Sequence, residues 1–145
     1  MEIFTIGFTQ KTAEAFFETL RSAGIEQLID VRLNNASQLA GFTKRDDLPY
    51  FLQKLCQIEY RHELLLAPTQ EIMDGIKKGK NSYDDFERQF LNLMAERKIE
   101  EQLDPKLFDR PTVLLCSEAT PEHCHRRLVA EYLQAKWGRV KITHL

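Results

Sequence analysis

Short apolar runs and spaced apolar stripes alternate along the chain, and that alternation predicts its elements. Ile3-Phe4-Thr5-Ile6 reads as a first strand ended by Gly7. The stretch Thr9 to Ala23 carries Ala13, Phe16, Phe17 and Leu20 at helical spacing and stops at Gly24. Leu28-Ile29-Asp30-Val31 is a second buried strand within Gln27 to Arg32, interrupted by one aspartate. A strand, helix and strand at this spacing imply a parallel pair with a right-handed crossover. Leu33 to Arg45 lacks periodicity and is long for a plain connection, as functional loops are.

Asp46 or Asp47 is expected to cap a helix with the stripe Leu48, Phe51, Leu52, Leu55 and Cys56. Ile58 to His62 reads as a short third strand. Helices follow over Pro68 to Lys78, with Ile72, Met73 and Ile76 inside, and from Ser82 to about Glu101, with Phe86, Phe90, Leu93 and Met94 on one face. Val113-Leu114-Leu115 is a buried strand ending at Cys116. After the loop Ser117-Glu118-Ala119, Thr120 and Pro121 predict a helix start, and Leu128, Val129, Tyr132 and Leu133 carry the stripe to Trp137. Val140 to Thr143 closes the order as a strand, with His144 just past it. The expectation is a single three-layer α/β domain over residues 1–145, Rossmann-like, with a mostly parallel sheet of about five strands.

Composition changes this picture little. Charged residues make up 29% and the net charge is -2, so no basic excess announces nucleic acid. No apolar run approaches a membrane span and no signal-peptide pattern opens the chain, so a cytoplasmic protein is expected. Three cysteines at irregular spacing predict reduced thiols and not a disulfide framework.

In parallel sheets, ligands bind beyond the carboxyl ends of the strands. That rule gathers Gly7, Asp30, Arg32, the Tyr60-Arg61-His62 run and Cys116 to Glu118 on one edge. Cys116 is the candidate nucleophile, at the point where a strand delivers a side chain to a loop ahead of a helix N-terminus. Glu118 is a candidate general acid or base, and Asp30 a catalytic or ion-paired carboxylate. Arg32, Arg61 and Arg126 are candidate anion ligands. Cys124 and His125, read as one and a half turns into the last helix, could join Cys116 in holding zinc or iron. Tyr60, His62 and Ser37 are supporting residues. Three classes stay open: an enzyme or binding domain for a phosphate-bearing ligand, nucleotide or nucleic acid; a metal- or redox-active thiol protein; and a noncatalytic module whose polar cluster is structural. The sequence names no cofactor, substrate or oligomeric state.

Together these residues resemble the domain of unknown function 488 family. The marks are Thr5-Ile6-Gly7, Asp30-Val31-Arg32, Ser37 with Phe42, Tyr60-Arg61-His62, Leu114-Leu115-Cys116-Ser117-Glu118, Cys124-His125-Arg126 and the terminal His144-Leu145. The resemblance covers nearly the whole chain and implies a fold and a site, but no reaction. The family often has histidine and serine after the first glycine, where this chain has Phe8 and Thr9, so no role of that histidine transfers. A weaker resemblance is to rhodanese and cysteine-phosphatase domains, but Cys116 and Arg126 lie too far apart for their short phosphate-cradling loop.

Overall fold

The computed structural model describes residues 1–36, 41–118 and 124–145. Five strands form one all-parallel sheet in the order β3-β2-β4-β1-β5. They are β1 (Glu2–Gly7), β2 (Gln27–Asp30), β3 (Glu59–His62), β4 (Thr112–Cys116) and β5 (Lys141–His144). β4 lies at the centre and all five of its residues are buried, which is why its sequence is a continuous apolar run and not an alternation.

Two helical layers cover the sheet. On one face lie α1 (Ala13–Ser22) and α2 (Leu48–Phe51), the latter continuing as a π-helical turn over Leu52–Cys56. Phe16, Phe17, Leu20, Leu48 and Leu52 pack there on Ile6, Leu28, Val113 and Leu115. On the other face lie α3 (Gln70–Lys77), α4 (Tyr83–Arg97), α5 (Ile99–Gln102) and α6 (His125–Trp137). Phe90, Met94, Leu128, Val129 and Leu133 pack there on Ile3, Ile29 and Leu114.

The boundaries follow local chemistry. α1 starts later than its stripe suggests, because Thr12 caps it by accepting the Ala15 amide proton, and Ala13 is left exposed. α4 opens with a reciprocal capping box between Ser82 and Asp85. It stops short of Glu101 because Lys98 adopts a left-handed conformation, and the short α5 follows. Leu55, expected in the α2 stripe, is 50% exposed, because the π-helical turn rotates it off the buried face. His144 is the last residue of β5, not a residue past it.

The start of the last helix is also corrected. Thr120 and Pro121 lie outside the described residues, but Cys124 has extended backbone angles (φ -117, ψ 138) and occupies the cap position before α6. Cys124 and His125 therefore sit at the N-terminus of α6 and not one and a half turns inside it. No helix among the described residues is long and apolar enough to cross a membrane.

Candidate functional site

The topology makes a crevice where strand connections leave on opposite faces. The chain after β2 turns to the α1–α2 face, and the chain after β4 passes to α6 on the other. Between these two strand ends lies a cleft of about 570 Å³, walled by α3 and α4. Arg32 and Asn34 border it on the β2 side, and Cys116, Ser117 and Glu118 on the β4 side. Lys77, Tyr83 and Phe86 line the helical wall, and Cys124 and His125 complete it from the start of α6.

Two sulfurs and an imidazole meet there. The sulfurs of Cys116 and Cys124 are in disulfide contact, with Cα atoms 6.8 Å apart, within the range that a disulfide spans. The expectation of three separate thiols is corrected accordingly; only Cys56 stands alone. His125 Nδ1 is 3.3 Å from Cys116 Sγ, and one ligand atom from each of the three residues falls within 4.8 Å of the others.

Backbone chemistry fixes the imidazole. His125 Nε2 is 2.6 Å from the Val31 carbonyl oxygen, which can only accept, so Nε2 carries the proton. Nδ1 is left with its lone pair facing Cys116. Burial pushes the imidazole pKa down to about 4, against weaker upward pulls from the Val31 hydrogen bond and Asp30, and Arg126 adds to the depression. The ring is therefore neutral at pH 7. Phe90 packs edge-on against it at 5.4 Å.

The candidate residues separate into two groups, and strand register explains the division. Asp30 pairs in register with Leu115 and not with Cys116. Neighbouring residues on a strand point to opposite faces, so the Asp30 carboxylate lies behind the sheet from the Cys116 sulfur. There Asp30 accepts bonds from Arg32 Nε at 2.9 Å, Arg32 Nη2 at 2.8 Å and the Tyr60 hydroxyl at 2.7 Å. Arg32 also donates to the Thr43 carbonyl, Asn35 donates to the Tyr60 oxygen, and His62 Nε2 donates to the Arg32 carbonyl. Burial and the Asp30 charge push the Tyr60 phenol well above its usual range. This network ties the chain after β2 to β3.

The three arginines do not converge. Arg32 is held by Asp30, Arg61 pairs with Glu63 on the edge strand β3, and the buried Arg126 donates to the Glu118 carbonyl and the Thr5 hydroxyl. Arg126 thus props up the chain after β4 from below. That chain packs so tightly on Gly7 that a Cβ there would overlap the Glu118 carbonyl oxygen. Thr9 adds a hydroxyl bond to the Ser117 carbonyl. Ser37 lies outside the described residues.

Sequence reasoning missed the helical wall. Tyr83, Phe86 and Lys77 come from helices that read as core and solvated faces, and only their placement over the β2–β4 crevice marks them. Burial, followed by the Glu118 and Glu87 charges, raises the Tyr83 phenol pKa. The Val31 carbonyl could not have been found, since a backbone acceptor carries no residue-type signal.

Comparison with curated proteins and with solved structures finds no match. The family described as domain of unknown function DUF488 matches residues 12–133, a span that includes every element from α1 to β4 and the first two turns of α6. With that match covering most of its length, the chain belongs to the DUF488 family.

Proposed function

We propose that the protein is a redox-active thiol protein, with Cys116 and Cys124 cycling between dithiol and disulfide in the β2–β4 cleft. The observation that carries this reading is the convergence of both sulfurs and the unprotonated Nδ1 of His125 within 4.8 Å. Cys124 precedes the first turn of α6, where the positive end of the helix dipole favours a thiolate. Cys116 Sγ lies 3.3 Å from Nδ1 of the neutral His125 imidazole.

The step is thiol–disulfide exchange with a small disulfide. The Cys124 thiolate attacks one sulfur of the incoming disulfide, forms a mixed disulfide and releases the first thiolate. Cys116 then gives its proton to the first released thiolate and attacks the Cys124 sulfur, and the second thiolate leaves. In sum, a protein dithiol and a disulfide become a protein disulfide and two thiols.

An anion-binding function has weaker support, because the guanidinium groups expected to share the anion are spread over three places and two are engaged by carboxylates. The test is equilibration of the reduced protein with graded ratios of reduced to oxidised glutathione, followed by maleimide trapping and intact mass. Two of the three thiols should disappear together in one two-electron transition. Cys116→Ser and Cys124→Ser should each abolish it, and Cys56→Ser should leave it unchanged. Independent titration of the thiols, or three free thiols throughout, would overturn the reading.

A further inference from the structure

We propose that the reduced site is also a metal site, binding a zinc-class divalent cation through Cys116 Sγ, Cys124 Sγ and His125 Nδ1. The proposal rests on the preceding reading only in using its two thiols. In a tetrahedral zinc shell with ordinary bond lengths, neighbouring ligand atoms lie roughly 3.5–3.8 Å apart. Here Cys116 Sγ and His125 Nδ1 are 3.3 Å apart, and all three ligand atoms lie within 4.8 Å. The two sulfurs, bonded to each other in this structure, separate on reduction to complete the triangle, on Cα atoms 6.8 Å apart.

The second argument is the orientation of the imidazole. A metal-binding histidine usually donates its other ring N–H to a carbonyl or carboxylate, which fixes the tautomer and aims the lone pair. His125 does this through Nε2 to Val31, and its Nδ1 lone pair faces the sulfurs. Nothing in a purely apolar packing role for the ring requires that direction.

Donor chemistry selects the class of ion. Two thiolates and one imidazole suit zinc and its soft or borderline neighbours, not magnesium or calcium, which take oxygen shells. Charge also balances, since two thiolates neutralise a divalent ion and a buried centre then carries no net charge. Among the described residues no fourth histidine, cysteine or carboxylate joins the group. All three residues line the cleft, from which water or a ligand would complete the shell, as at open rather than closed zinc sites. Metal and disulfide exclude each other. A disulfide that oxidises the site releases the divalent ion and leaves as two thiolates, while the protein keeps a Cys116–Cys124 bond.

The experiment uses the full untagged chain, fully reduced and stripped of metal, titrated with cobalt(II) and zinc(II) chloride. One equivalent of cobalt should give thiolate-to-metal charge-transfer absorption and tetrahedral d–d bands, which zinc displaces. Cys116→Ser and Cys124→Ser should each weaken zinc binding by about 100-fold or more, with circular dichroism confirming the fold. Should those variants not fold, the unmutated protein suffices: zinc should protect Cys116 and Cys124 from maleimide and leave Cys56 reactive. Absence of cobalt bands and of thiol protection, with the two-electron thiol transition intact, would overturn the metal site alone. Metal binding with thiols that never pair would uphold it and overturn the redox reading.

Discussion

Truncating Asp30 to alanine should cost more stability than any change to the exposed cleft rim. The carboxylate is fully buried and holds Arg32, itself only 3% exposed, by two guanidinium bonds and a bond from the Arg32 backbone amide at 3.1 Å. It also accepts the Tyr60 hydroxyl. In Asp30→Ala the guanidinium keeps only the Thr43 carbonyl among these partners and stays buried. Breaking a buried pair from one side costs about 3–5 kcal/mol. The orphaned Tyr60 and Arg32 donors add about 1 kcal/mol or more each, but these losses overlap because they belong to one network. We expect a loss of about 4 kcal/mol, a large share of the roughly 5–15 kcal/mol that stabilises a domain. With a urea m-value of about 2 kcal/mol per molar, the midpoint would fall by about 2 M. Glu118→Ala, at an exposed residue, should stay within about 0.5 kcal/mol. The assay is urea unfolding under reducing conditions. An Asp30→Leu/Arg32→Met variant should recover most of the loss, since it leaves no buried charge. A difference between Asp30→Ala and Glu118→Ala below about 1 kcal/mol would refute buried pairing as the reason for this aspartate.

Two further outcomes follow from the site. His125 has a folded pKa of about 4 against about 6.5 unfolded, so between those values the unfolded chain binds more protons and stability falls as pH falls. The window contributes roughly 3 kcal/mol, read as the difference in urea midpoints against pH between the disulfide-bonded protein and disulfide-bonded His125→Gln; parallel curves would contradict it. Gly7→Ala should destabilise by about 1–3 kcal/mol and slow Cys116–Cys124 pairing, because the new Cβ displaces the Glu118 carbonyl and with it the chain after Cys116; an unchanged pairing rate would count against tight seating of that chain.

The layered fold was readable because each buried strand is an apolar run and each helix a stripe, and Val113-Leu114-Leu115 proved to be the central strand. Strand order was not readable. β4 inserts between β1 and β2, and the resulting register decides that Asp30 matches Leu115. One residue of shift would have put Asp30 and Cys116 on the same face. The edge rule therefore gathers residues by strand end but cannot sort them by face. The Cys116–Cys124 pairing was equally hidden, because a spacing of eight residues specifies nothing until the chain between strand and helix has a shape. Arg126 reads from the sequence as a candidate anion ligand, and its protein partners were not readable. Those seen are the Glu118 carbonyl and the Thr5 hydroxyl, which residue types alone could not single out.

The central claim is that Cys116 and Cys124 form one redox unit, and peptide mapping of the oxidised native protein tests it most directly. The protein is treated with a slight excess of oxidised glutathione, quenched with iodoacetamide and digested with trypsin. No lysine or arginine separates the two cysteines, so one peptide holds both. The account predicts that this peptide is two hydrogens lighter than its reduced form and unalkylated, while Cys56 is carbamidomethylated. Full alkylation of Cys116 and Cys124, or their recovery as separate glutathione adducts with no internal bond, would contradict it.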